Sequence, residues 1–283
     1  MDDILFWVIF NAFILLLLGL DLFVFHRKEH VVKIKEALLW SAFWIALSLL
    51  FNLGIYYWKG PGPAMEFLTA YLIEKSLSVD NLFVFILIFS FFKVPQQYQH
   101  KILFWGIIGA LVLRGMFILV GVALIAKFHF IIYILGAFLI YTGAKMAFTK
   151  SDDELHPEQN PLIVWASQKL RFTKTAVGGK FFTRIDGKLH ATPLFLVLIM
   201  VESTDVVFAA DSIPAILAIS KDPFIVYTSN VFALLGLRAL YFALAGIMQL
   251  FHYLHYGLSL ILVFIGAKLL LSDIYHLDMG YAL

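Results

Sequence analysis

Hydrophobic positions in this chain do not alternate with polar ones; they gather into blocks of helical length. The blocks fall at about 4–25, 37–58, 66–92, 101–126, 128–148, 193–219, 223–250 and 254–273. A helix needs roughly 20 apolar residues to cross the hydrocarbon core of a bilayer. The pattern therefore predicts an all-α polytopic membrane protein with about eight transmembrane helices, forming a single transmembrane domain over 1–283. The break between the fourth and fifth blocks is slight, consisting of Lys127 and His129 in an otherwise apolar run.

The polar connections predict an orientation. His26, Arg27, Lys28, Lys33 and Lys35 follow the first block, and Lys93, His100 and Lys101 follow the third. The 149–191 segment carries Lys150, Lys169, Arg171, Lys174, Lys180, Arg184 and Lys188. The stiff Lys59-Gly60-Pro61-Gly62-Pro63 turn and Lys221-Asp222-Pro223 hold few cations. Cationic loops stay on the cytoplasmic side, so both termini are expected outside and 149–191 inside. The last connection holds only His252 and His255. Within 149–191 a short surface helix is expected at Pro161–Leu170, the remainder being a solvated linker. The opening M-D-D-I-L-F-W has no basic n-region, which predicts a retained first helix rather than a signal peptide.

Composition sharpens this picture. Of 283 residues, 62% are hydrophobic and 14% charged, and the mean hydropathy is +0.90. Soluble domains are about half apolar and a quarter charged. A net charge of +2 implies no nucleic-acid partner; the expected partners are the lipid bilayer and an ion. No cysteine is present, which excludes disulfides, thiolate metal sites and cysteine nucleophiles.

The blocks also repeat. Leu113-Arg114-Gly115-Met116-Phe117 resembles Leu237-Arg238-Ala239-Leu240-Tyr241, and Phe128-His129-Phe130 resembles Phe251-His252-Tyr253. Ile140-Tyr141-Thr142-Gly143-Ala144-Lys145 resembles Val263-Phe264-Ile265-Gly266-Ala267-Lys268, all at an offset of 123–124. With a slip of one or two residues, Ser78–Phe83 falls on Ser203–Phe208. Spans three to five (66–148) then repeat as spans six to eight (192–274), with two extra helices at the N-terminus. Three spans per unit is odd, so the units are expected to be inverted, as in many secondary transporters whose site lies at the repeat interface.

Acids interrupt these apolar blocks. Glu202, Asp205 and Asp211 lie in the sixth, and Glu74 and Asp80 in the third. An acid at a bilayer centre costs roughly 2.5–3.5 kcal/mol on insertion scales, so each needs a compensating partner. Glu202 and Asp205 share a helix face. Pro214 removes a backbone donor and frees the Ala210 carbonyl; a helix break there would swing Asp211 inward. With Asn81 and Ser212, the five carboxylates suggest an oxygen-rich site for Mn2+, Ca2+ or Mg2+ as transported ion, with no organic cofactor and no catalytic residues. A proton could replace the departing ion. The competing reading pairs these acids with buried cations, for which Lys75, Arg114 and Arg238 are available. Asp21 is a further ligand, a gate residue or an interfacial residue.

The stretches E-K-S-L-S-V-D-N-L-F-V-F (74–85), F-F-T-R-I-D-G-K (181–188), T-P-L-F-L (192–196), V-E-S-T-D-V-V-F-A-A-D-S-I-P-A (201–215) and S-N-V-F-A-L-L-G-L-R-A-L-Y-F (229–242) resemble the TerC family, and its Alx-like bacterial members in length. That resemblance covers nearly the whole chain. It implies a transporter of the LysE type that exports Mn2+ from the cytoplasm across the bacterial inner membrane. It also implies functional acids at Glu74, Asp80, Glu202, Asp205 and Asp211. A second expectation, from plant relatives of the family, is a membrane-assembly or scaffold role. An intramembrane protease would require a G-x-G-D motif, which is absent, and an acidic site repels a tellurite oxyanion.

Overall fold

The computed structural model describes residues 2–20, 34–128, 130–148, 160–173, 175, 177–244 and 254–271. The chain is built mainly from helices: α1 (Asp2–Leu20), α2 (Ile34–Lys59), α3 (Pro61–Phe91), α4 (Gln96–Lys127), α5 (Ile131–Phe148), α6 (Pro161–Lys169), α7 (Pro193–Leu217), α8 (Pro223–Leu235), α9 (Leu237–Leu244) and α10 (Leu254–Leu270). Five stretches are long and apolar enough to cross a membrane: α2, α4, α5, α7 and Pro223–Leu244, which joins α8 to α9. The remaining predicted blocks coincide with α1, α3 and α10. Many large apolar side chains face outward, among them Leu15, Leu39, Leu50, Val112, Met116 and Leu260, as expected where lipid replaces water.

Helix starts follow simple local chemistry. Proline opens α3, α6, α7 and α8, where its missing N–H would have had no helical partner. Asn160 and Asp222 cap α6 and α8 with their side-chain oxygens. The expected stiff turn at 59–63 shrinks to one residue. Gly60, with φ of 94°, links α2 directly to α3, and Pro61 and Pro63 sit in the first turn of α3, where proline is tolerated.

Three departures from the expected helices stand out. First, the architecture is not purely helical. Strands β1 (Phe182–Ile185) and β2 (Lys188–Ala191) form an antiparallel hairpin with Ile185 opposite Lys188. Asp186 and Gly187 both have positive φ, 51° and 73°, the geometry of a two-residue type I′ turn. Second, the 149–191 segment is more than a solvated linker. α6 appears where a helix was expected and buries Ile163 and Ala166. The hairpin is fixed by Thr192 Oγ1 donating to the Lys180 carbonyl at 2.6 Å and by Lys101 Nζ donating to the Gly179 carbonyl at 2.8 Å. Third, the expected 223–250 span is interrupted at Gly236, between α8 and α9.

α5 and α10 cross with their backbones in close approach at glycines. A Cβ on Gly136 would meet the Gly266 carbonyl at 3.0 Å, and one on Gly266 would meet the Gly136 carbonyl at 2.7 Å. About two turns away, a Cβ on Gly143 would meet the Ser259 carbonyl at 2.9 Å, and Ser259 Oγ donates to the Gly143 carbonyl at 2.5 Å. The helices run antiparallel, since 136 faces 266 while 143 faces 259.

Against α8, Phe10, Ile14 and Leu18 of α1 and Trp44 and Ile55 of α2 pack with Phe67 of α3 and with Phe224, Ile225 and Phe232. Phe67, Phe89 and Phe232 are fully buried.

Candidate functional site

The predicted acids lie on α3 and α7, and the residue that gathers them lies on α4. Arg114 is 1% exposed. Its guanidinium grips Asp205 at two points, Nη2 to Oδ1 at 2.9 Å and Nε to Oδ2 at 3.1 Å. Nη1 donates to Glu74 Oε1 and, at 3.4 Å, to Ser212 Oγ. Three helices are thus joined at one cation. A planar five-donor fork suits this, because it can serve a carboxylate bidentately and still reach a second one.

Helical geometry explains which α7 residues take part. Asp205 and Ser212 are seven apart, about two turns, so both face α4. Glu202 is one turn earlier on nearly the same face. Its carboxylate lies directly over Gly109 of α4, where a Cβ would collide with all three carboxylate atoms. Gly109 is a notch cut for that side chain.

Asp211 stands apart. α7 runs through Pro214 without a break and ends three residues later at Leu217. So close to the C-terminus, the lost backbone hydrogen bond is one of the last in the helix, and the helix keeps its course. Asp211 therefore stays about 100° around the axis from Ser212, off the Arg114 face and within electrostatic reach of Lys145 on α5. The helix break expected at Pro214, and the inward swing of Asp211, are absent from this structure.

The expected cluster of five carboxylates does not converge on a common point among the described residues, where no group of three or more acids or histidines is arranged to hold a metal ion. Glu74 and Asp205 converge on Arg114; Glu202 is nearby on α7, and Asp211 elsewhere. Asn81 is buried on α3. The side chain of Asp80, and the whole of Asp21, lie outside the described residues. Arg238 is buried on α9. Lys75 is committed to α8, donating to the Ala233 carbonyl at 3.2 Å. An ammonium there also meets the negative end of the α8 dipole.

Several buried oxygens nevertheless have no hydrogen-bond partner among the described residues. Glu74 Oε2 and Ser78 Oγ, one turn apart on α3, are two of them, and Glu202 Oε2 is a third. Both atoms of the Asn230 amide on α8 are in the same condition. Buried polar atoms are paired in the great majority of cases; these exceptions on α3 and α7 lie on the helices whose acids meet Arg114. Sequence reasoning had not marked Gly109, Asn230 or the Gly236 interruption. Only the three-dimensional neighbours of these residues reveal them.

Residues 59–282 match the family described as Integral membrane protein TerC family. The uncharacterized membrane protein STKORF319 of Myxococcus xanthus is 52% identical over 267 residues, covering 94% of this chain and 83% of its own. The Alx protein of Escherichia coli (strain K12), named for a proposed role as a membrane-bound redox modulator, is 48% identical over 288 residues, covering 99% of this chain and 89% of its own. The Salmonella typhi protein of the same name is 47% identical over 288 residues, covering 99% and 89%. No solved structure matches the chain.

Proposed function

The chain belongs to the TerC family of integral membrane proteins, and we propose that it is a secondary transporter exporting a divalent cation, Mn2+, from the cytoplasm in exchange for protons. One observation carries the reading. Carboxylates from two helices, α3 and α7, meet deep inside a membrane protein, and buried oxygens beside them lack protein partners. Such groups are costly at membrane depth and mark ion pathways. Carboxylate, hydroxyl and amide oxygens suit a hard or borderline cation. The absence of cysteine also means that thiol chemistry is not available to this chain itself, which separates the reading from the role in the Alx name.

Supporting the inverted repeat is the α5–α10 crossing. Gly266 is the counterpart of Gly143 at the offset of 123, and Ser259 is the counterpart of Gly136. The observed pairs, 136 with 266 and 143 with 259, are therefore each other's images. Antiparallel contacts of that kind are what a two-fold axis in the membrane plane produces. In this reading eight helices cross the inner membrane, both termini lie outside and the α6–hairpin segment lies inside. In the same reading Glu74, Asp80, Asn81, Asp205, Asp211 and Ser212 serve as ligands over the transport cycle, with Glu202, Asp21 and Arg238 as gating or pairing groups.

The test is Mn2+ flux into proteoliposomes containing the purified protein, with a lumenal pH dye. Asp205→Asn and Asp80→Asn should abolish flux, and the lumen pH should move with the ion in the wild type. Normal flux in both variants, or no flux of any divalent cation in the wild type, rejects the exporter. A scaffold role in membrane-protein assembly would leave the acid variants indifferent.

A further inference from the structure

We infer that Arg114 is a tethered competitor for the transported ion: it occupies the acidic site when the ion is absent and moves from Asp205 to Glu202 when the ion binds. This rests on the exporter reading above and assigns a role to a residue that the acids alone would not identify.

The geometry carries the argument. Four oxygens surround the guanidinium: Glu74 Oε1, both oxygens of Asp205 and Ser212 Oγ. These are hard donors of the kind a divalent cation takes. The neighbouring Glu74 Oε2 and Ser78 Oγ, both fully buried, are unused by Arg114 and have no other partner among the described residues. A divalent ion entering this cage would find both occupied and unoccupied donors. The guanidinium charge beside Asp205 repels an incoming divalent ion, so full use of Asp205 by the ion requires the fork to withdraw.

The structure also offers the displaced guanidinium a place to go. Glu202 lies one turn before Asp205 on α7, about 4.5 Å along the axis. Its carboxylate rests in the Gly109 notch on the same helix as Arg114, with Oε2 unpartnered. A long, flexible side chain can exchange one carboxylate for the next without leaving the buried region. The fork also needs no deprotonation, since arginine stays charged. Releasing the ion returns the guanidinium to Asp205, so Glu74 and Asp205 face a cation in both states.

A double-mutant cycle with Mn2+ as probe tests this, using calorimetric titration of the full-length protein in detergent and flux in proteoliposomes. Arg114→Gln should bind Mn2+ about tenfold more tightly than wild type, equivalent to 1.4 kcal/mol, and should release it more slowly, lowering flux. Arg114→Lys, whose ammonium cannot grip Asp205 bidentately, should fall between. Glu202→Gln should weaken binding in the wild-type background, yet have no effect in the Arg114→Gln background, because its acid is needed only to receive the guanidinium. If Glu202→Gln weakens binding equally in both backgrounds, Glu202 is a plain ligand and the exchange is wrong. Affinity unchanged or weakened in both Arg114 variants also overturns it, as does failure of both to fold, which would mark a fixed structural pair. Mn2+ binding and flux in the wild type alongside any of these results leave the exporter standing. If no variant and no wild-type sample binds or moves Mn2+, both readings fall together.

Discussion

α4 and the pair α8–α9 occupy corresponding places after the acid-bearing helices α3 and α7, yet they live in different surroundings. α4 is one 32-residue helix, and 22% of its most apolar window is buried; for Pro223–Leu244 the share is 89%. The first spans with lipid along much of its length. The second is wrapped by α1, α2 and α3, and it stops and restarts at Gly236, where the lack of a side chain makes room for Lys75 and Trp44. The difference teaches that the two N-terminal helices are no mere addition. They enclose α8–α9 along most of its length and meet α4 only near Phe104 and Ile107. The exposed middle helix supplies Arg114 to the acids, while the enclosed one takes up Lys75 at the end of α8.

That inequality can be broken from the enclosed side first. Trp44→Ala should open a cavity between α2 and α9 and cost about 3–5 kcal/mol, read as a lowered midpoint in thermal unfolding in detergent. Met116→Ala on the exposed face of α4 should leave the midpoint in place. Equal losses would mean that both middle helices are enclosed in the membrane. Next come the glycines of the α5–α10 crossing. Gly266→Ala and Gly143→Ala each force a side chain against backbone and should cost about 1–3 kcal/mol. Similar costs would show that here, at least, the halves are equivalent.

Gly236→Ala should have a smaller effect, about 1.5 kcal/mol, the worth of a charge-assisted hydrogen bond. Its Cβ would lie 2.6 Å from Lys75 Nζ, a flexible tip that can yield only by giving up the Ala233 carbonyl. Gly115→Ala on α4, whose Cβ would meet Tyr227 at 3.4 Å, should be nearly neutral. Ser259→Ala is the mildest probe. It removes one interhelical hydrogen bond, worth about 0.6 kcal/mol in membrane proteins, and small changes in the urea or thermal midpoint should report it.

The helices were legible in the sequence because lipid-facing and buried positions are both apolar, so each block announces itself. The finer breaks were not. Gly236 sits in an unbroken apolar run, and its meaning depends on Lys75, which is 161 residues away in sequence. The hairpin had a readable signal in Asp186-Gly187, but its strands are only four residues long and the first, F-T-R-I, does not alternate. Arg114 could be recognised as a buried charge in need of partners. Which acids it takes follows only from packing, since Glu74 and Asp205 are 40 and 91 residues from it. Pro214 misled because a proline's effect depends on how much helix remains beyond it, and here only one turn does.

Asn160 gives the segment before α7 a mechanical meaning. Its carbonyl oxygen caps α6, while its amide donates to Ser203 Oγ at 2.7 Å, one residue from Glu202. Ser203 points toward α6 only at the present azimuth of α7. Twisting α7 by a single residue would carry the hydroxyl through about 100° and strip α6 of the anchor that orients its first turn. α6 thus acts as a weak detent on torsion of α7, worth about 1 kcal/mol, the net value of one hydrogen bond. Motions that present Glu202 or Asp205 to a new neighbour must then come from the helices around α7, or must first unlatch Asn160.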